Sequence, residues 1–288
     1  MLNLEQSDIN GLSSFAEVQI NNKSDSPRDR QWKSTGANHI SRESLLDLFQ
    51  NRIPFIHIEN FFNTPICDEV VRKFKTFAYW QSYGFEEEAK GVKKFGVAQC
   101  DYEYLDKSGY FEEAKRTTEV QRKILEKHLN PIEKVCQMIT RNSSIPAFRA
   151  YDNKYNAPYY AGIFRNLDGG AKLHIDFAKR DAIDWEISSV DAQITWNIFL
   201  NDDFQGGETL VFNRPWIIQD ERKRLENNYC YDEILVENTE YVKLAPRKGD
   251  LVIFNSRNYH KVLDSSADRL TVSSFLGLTK DRHIWAWS

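Results

Sequence analysis

Four side chains in this sequence have the types and the order to do redox chemistry. His174 and Asp176 lie in Lys172-Leu173-His174-Ile175-Asp176-Phe177. A second histidine follows in Tyr259-His260-Lys261-Val262, and Arg269-Leu270-Thr271 comes nine positions after His260. Two imidazoles and one carboxylate can hold one face of a ferrous ion and leave the other face open to substrates and oxygen. Residues two apart on a strand point the same way, so His174 and Asp176 can serve one ion from one strand end. An arginine can grip the distal carboxylate of a 2-oxo acid with two parallel hydrogen bonds, which an ammonium cannot reproduce. Each residue also has a plainer reading. A strand histidine, a capping aspartate and a surface ion-pair arginine are all common, and a lone His-x-Asp is weak evidence.

The surrounding elements strengthen the order. Gly206-Gly207-Glu208-Thr209-Leu210 reads as a turn entering a strand, and Pro246 to Phe254 as a turn and a buried strand. From Ala147 onward, aromatic and β-branched runs alternate with Gly, Asn and Asp turns. These runs are Tyr159–Phe164, Ala192–Leu200, Thr209–Phe212, Glu240–Leu244, Asp250–Phe254 and Leu270–Leu276, an antiparallel pattern of the sandwich or jelly-roll type. Asn213 to Cys230 is more polar and predicts an insert, with a helix around Gln219 to Leu225. Before Ala147 the signals are helical. Ser41 predicts a cap ahead of Leu45, Leu46, Leu48 and Phe49, and Thr64 a cap ahead of Pro65. Phe111 to Met138 predicts a helix that Pro131 kinks or divides. Ile53 to Ile58 predicts a strand. The fold class expected is α+β, with packing helices over about 39–146 and a jelly-roll core over about 147–280. Residues 1–38 are polar and predict a flexible arm.

The array from Arg165 to Leu278 resembles the Fe(II)/2-oxoglutarate-dependent oxygenases. That resemblance implies a double-stranded β-helix within a single domain over 39–288. It implies His174, Asp176 and His260 as iron ligands, Arg269 as the partner of the 2-oxoglutarate C5 carboxylate and Thr271 as its hydrogen-bonding neighbour. Oxygen and 2-oxoglutarate would be cosubstrates, released as succinate and CO2. More narrowly, the chain looks like the carrier-independent alkaloid halogenases of the welwitindolinone and hapalindole type. The likeness covers Phe95-Gly96-Val97-Ala98-Gln99, Phe164-Arg165, Gly206-Gly207-Glu208, Gly249-Asp250-Leu251 and Tyr259-His260. In those halogenases a glycine stands where this chain has Asp176, and chloride takes the vacated place. A carboxylate here implies hydroxylation of an unactivated C–H bond rather than chlorination. The expected substrate is a free small molecule, an amino acid derivative or an alkaloid-like metabolite. Desaturation, epimerisation or oxidative cyclisation at the same iron, a JmjC-like or cupin-like protein hydroxylase, and a non-catalytic binding module stand as alternatives.

Arg165 could anchor a substrate carboxylate or the cosubstrate, and Asn197 the 2-oxoglutarate C1 carboxylate or an ordered water. Tyr159, Tyr160, Phe177 and Trp196 could line the pocket, with core packing the competing role for each. Trp285 and Trp287 should dock back onto the body or onto a second subunit. His39, His57, His128 and His283 have no metal-like neighbours and read as structural.

Composition limits the partners. With 288 residues, 41% hydrophobic and 13% aromatic, the chain can bury a sizeable core. A formal net charge of −4 without a long basic run argues against nucleic acid or an anionic membrane. The start of the chain does not read as a signal peptide, and no apolar run is long enough to span a bilayer. Cys67, Cys100, Cys136 and Cys230 form no C-x-x-C pair, so the expectation is reduced thiols in a cytoplasmic monomer or homodimer.

Overall fold

A computed structural model describes residues 16–19, 31–77, 80–82, 92–102, 107–126, 129–167, 169–226 and 228–288. Four longer helices precede most of the strands: α1 (Arg42–Phe49), α2 (Thr64–Phe77), α3 (Lys107–Ile124) and α4 (Pro131–Ser143). Ser41 caps α1 with a reciprocal capping box through Ser44. The cap of α2 is Asn63 rather than Thr64, because the Asn63 side chain accepts from the Ile66 N–H and Thr64 is already helical. Pro131 does divide the third helical region. It occupies the first turn of α4, where its missing N–H costs nothing, and Asn130 caps that turn.

The strands are β1 (Ala16–Gln19), β2 (Phe55–Ile58), β3 (Gln81–Ser82), β4 (Lys93–Phe95), β5 (Ala147–Arg149), β6 (Tyr151–Asp152), β7 (Ala157–Pro158) and β8 (Ile163–Asn166). They continue as β9 (Ala171–His174), β10 (Ala192–Phe199), β11 (Thr209–Pro215), β12 (Tyr241–Leu244), β13 (Leu251–Phe254), β14 (Asn258–Val262), β15 (Leu270–Leu278) and β16 (Ile284–Trp287). One sheet runs β2-β13-β10-β15-β8-β4-β3, with β16 beside β15 and β5 beside β16. The other runs β1-β12-β11-β14-β9.

Strand alternation gives the larger sheet two different faces. Ile194, Trp196, Ile198, Leu251, Ile253, Val272 and Leu276 pack with Leu45, Leu48, Val70, Phe74, Ile132, Val135 and Ile139 of the helices. Phe199, Val252 and Phe254 of the opposite face pack with Val211, Val242 and Leu244 of the smaller sheet. Two facing sheets with helices on one outer face make the expected α+β jelly roll.

The arm expected over residues 1–38 is partly built into this body. Residues 16–19 pair with β12, Trp32 is buried between the sheets, and Ala37 bridges to Ile56. The rest of its first thirty residues lie outside the described ones. Trp285 and Trp287 belong to β16, paired antiparallel with β15, so they dock within the chain. The insert holds a 3-10 helix over Ile218–Lys223 rather than a longer α-helix. Among the described residues, no helix is long and apolar enough to cross a membrane.

Candidate metal and cosubstrate site

Antiparallel pairing of β9 with β14 sets His174 directly opposite His260. Their ring centroids are 4.2 Å apart. β9 ends at His174, and Asp176 lies just past it, where its N–H donates to the Ser256 carbonyl at 2.9 Å. The Asp176 Oδ2 lies 4.0 Å from His174 Nε2 and 3.3 Å from His260 Nε2. One ligand atom from each of the three residues falls within 4.8 Å of the other two, close enough to share one ion.

Each imidazole is oriented from behind. His174 Nδ1 meets the Lys172 carbonyl at 2.6 Å, and His260 Nδ1 meets the Asn258 carbonyl at 2.9 Å. A carbonyl accepts only, so Nδ1 carries the proton and Nε2 offers its lone pair to the site. Aromatic edges fix both rings further. Tyr229 lies 5.4 Å from the His174 ring and Phe254 5.1 Å from the His260 ring.

The electrostatics favour a neutral His174 and an ionised Asp176 in the metal-free protein. Burial, reinforced by His260, pushes the His174 imidazole down to about 4, against the pull of Asp176. Burial alone would raise the Asp176 carboxyl. The neighbouring imidazoles of His260 and His174 and the Arg165 guanidinium outweigh it and hold the group at about 2.

Arg269 lies between the sheets, 2% exposed. Its Nε donates to the Gly207 carbonyl at 2.7 Å, and its Nη2 to Thr209 Oγ1 at 3.1 Å. The guanidinium stacks over Phe199 at 5.3 Å. Gly207 has φ +74, and a Cβ there would come within 3.0 Å of Arg269 Cδ, so the close approach depends on glycine. Burial lowers the Arg269 pKa to about 10, with the Glu208 charge opposing. Two buried polar atoms here have no partner within the protein: Arg269 Nη1 and Thr271 Oγ1. A buried cation with an unfilled donor, beside an unfilled hydroxyl on the same strand face, is suited to a carboxylate. The residues present therefore fit 2-oxoglutarate at this end and a divalent ion at the other.

Arg165 stands opposite Thr271 in the β8–β15 register and donates to the Ser273 hydroxyl. Its charge reaches both Asp176 and His174. Asn197 stands opposite Ser273, so it shares the face carrying Thr271 and Arg165. Phe177 is half-buried beside Asp176 and packs against the cluster around Trp216, 6.1 Å from that ring, with the Arg257 guanidinium 5.1 Å from its own.

Three expected pocket residues lie elsewhere. Trp196 is fully buried on the helix-facing side of β10, with Ile194 and Ile198, because it is one position out of phase with Asn197. Tyr159 is fully buried in a separate aromatic cluster, where its hydroxyl donates to Asp152 at 3.1 Å and its ring meets Tyr110, Phe111 and Trp185. Tyr160 is core as well, its hydroxyl accepting from Gln121. His57 pairs with Asp250 at 2.7 Å, His283 packs on Phe148, and His39 is exposed. His128 lies outside the described residues.

The sequence reading did not find Tyr229, Phe254, Gln193, Ser256 or Ser273. A signal for Gln193 existed: Gln193, Thr195 and Asn197 form a polar stripe alternating with Ile194, Trp196 and Ile198. Tyr229 sits in a polar insert with no periodicity, and nothing local marks it.

Residues 35–288 match the family described as carrier-protein-independent halogenase WelO5. The chain is 30% identical over 193 residues to leucinostatins biosynthesis cluster protein S of Purpureocillium lilacinum, covering 63% of this chain and 77% of that one. It is 26% identical over 260 residues to the L-gamma-glutamyl-L-propargylglycine hydroxylase of Streptantibioticus cattleyicolor, covering 86% and 93%. Its fold is shared with an N-substituted L-amino acid dioxygenase from Burkholderia ambifaria AMMD, at a TM-score of 0.58 and 16% identity, over 86% of this chain and 91% of that one.

Proposed function

Because the chain belongs to the carrier-protein-independent halogenase WelO5 family and is an Fe(II)/2-oxoglutarate-dependent dioxygenase, we propose that it hydroxylates an unactivated C–H bond of a free amino acid derivative. Succinate and CO2 are the coproducts. The observation that carries this reading is the Asp176 carboxylate, 3.3 Å from His260 Nε2, where a halogenase of this family would keep room for chloride. The relative from Streptantibioticus cattleyicolor is named as a hydroxylase of a γ-glutamyl amino acid, which supports both the outcome and the substrate class.

In this reading His174, Asp176 and His260 hold iron by three neighbouring positions. Bound iron would supply oxygen activation. The chain supplies the rest. Its carbonyl-anchored imidazoles keep their Nε2 lone pairs aimed inward. Arg269 and Thr271, both buried, grip the far carboxylate of 2-oxoglutarate. Arg165 and Asn197 present polar groups on the same interior face, towards the cosubstrate or substrate.

The test is succinate release, stimulated by substrate, across γ-glutamyl amino acids, N-acyl amino acids and free amino acids in chloride-containing buffer. The expected product carries one added oxygen from O2. Chlorine in the product would overturn the reading, and so would succinate release that no member of the panel stimulates.

A further inference from the structure

We propose that Gln193 is a positioning residue for Asp176, acting through the Asp176 peptide rather than through its carboxylate. The inference rests on the reading of Asp176 as an iron ligand.

The two histidines and Asp176 are held in different ways. Each imidazole has a carbonyl behind its own ring. The Asp176 side chain is about a third exposed, at 34%, and faces the site. Its backbone lies past the end of β9, without the regular ladder that fixes His174. A carboxylate on an unsupported turn could rotate away from the ion, and its place would be lost.

The structure supplies the missing support from β10 and from the turn between β13 and β14. Gln193 is on β10, 3% exposed. Its Nε2 donates to the Asp176 carbonyl at 3.1 Å, and its Oε1 accepts the Ala178 N–H at 2.8 Å. One carboxamide thus spans Phe177 and ties both ends of that turn. Ser256 completes the frame. Its carbonyl accepts the Asp176 N–H, and its hydroxyl donates to the Asp176 carbonyl at 3.1 Å while accepting from Gln193 Nε2 at 3.3 Å. Every donor in this network has an acceptor, and both side chains are buried. Such a closed polar network specifies one arrangement strongly. Groups that orient metal ligands from behind typically affect metal affinity by about 10- to 100-fold.

A double-mutant cycle on the full chain tests this. Co(II) binding to the metal-free protein is followed by its visible absorption, without turnover. Gln193→Leu and Gln193→Glu are each made with Asp176 and with Asp176→Ala. The glutamate variant keeps an acceptor for Ala178 but loses the donor to Asp176, so it separates the two arms and guards against a leucine variant that fails to fold. With Asp176 present, either substitution should weaken Co(II) binding by about tenfold or more. With Asp176→Ala, the same substitutions should change it by less than about twofold, because the group they position is gone. Equal losses in both backgrounds would show a merely structural role and overturn the proposal. Unchanged binding with Asp176 present would also overturn it. If Asp176→Ala alone leaves Co(II) affinity intact, the ligand reading fails, and this inference fails with it.

Discussion

His174 and His260 face each other across one rung of the β9–β14 ladder, with ring centroids 4.2 Å apart. Neither sheet register nor ring orientation is left to side-chain chance. Pairing aligns the Cα atoms, and the carbonyls of Lys172 and Asn258 set the rings. Asp176 completes the set from outside the ladder, so the three candidate ligands come from one rung and the turn beyond it.

Loss of either imidazole should abolish metal-linked stabilisation. At a Co(II) concentration about a hundredfold above its dissociation constant, wild-type protein should gain about 2.7 kcal/mol. His174→Ala and His260→Ala should gain essentially none. Thermal melting with and without Co(II) reads this directly.

Arg269 has one unfilled donor, and Thr271 beside it an unfilled hydroxyl. Arg269→Lys keeps the charge but removes the planar fork. Hydrogen bonds to charged groups contribute about 1.5–3 kcal/mol, so the 2-oxoglutarate concentration at half-saturation should rise by about tenfold or more. The measurement is an anaerobic titration of the Fe(II) protein, and unchanged affinity would remove Arg269 from the site.

Asp176→Gly should open the place the carboxylate fills. The visible band of its complex with Fe(II) and 2-oxoglutarate should then respond to added chloride, whereas the wild-type band should not. Hydroxylation should fall sharply in the variant. A wild-type band that shifts with chloride would contradict the role given to Asp176.

Acid should weaken the metal-free fold through His174. Its imidazole is pushed down to about 4, below an unfolded value of roughly 6.5. Between those values the unfolded chain binds a proton that the native chain does not, so stability falls as pH falls through that window. His174→Gln removes the group. The melting-temperature difference between wild type and His174→Gln should therefore shift against wild type as pH drops from about 6.5 to about 4. A pH-independent difference would mean that the imidazole is not held neutral.

Neighbouring positions on β10 should behave oppositely. Trp196→Ala should cost about 3–5 kcal/mol of stability, because it empties the helix-facing core. Asn197→Ala should cost little stability but weaken 2-oxoglutarate or substrate binding. Denaturant melts and the same anaerobic titration distinguish the two.

That pair also shows what the sequence could and could not reveal. The strands β10 to β13 and β15 were legible from alternation, and His174, Asp176, His260 and Arg269 as candidates from type and order, whereas β14, the strand that carries His260, was not read as one. For Trp196 and Tyr159 a pocket wall and core packing both stood open, and the structure shows the core; Ile194 and Ile198 already pointed Trp196 to the apolar side, whereas the contacts of Tyr159 with Tyr110 and Trp185 are long-range and leave no local trace. Trp32 looked like part of a polar arm because one buried anchor in a polar stretch barely changes composition. The hold of Gln193 and Ser256 on Asp176 joins residues distant in sequence, so it required the fold.

The most direct measurement adds Fe(II) and then 2-oxoglutarate to the metal-free protein without oxygen. Chelation of iron by the keto acid within a site held by His174, Asp176 and His260 should produce a weak charge-transfer absorption in the visible. His174→Ala should abolish it, and Arg269→Lys should require more 2-oxoglutarate to reach it. A wild-type protein that gives no such band, or a band that persists in His174→Ala, would contradict the iron site at the centre of this account.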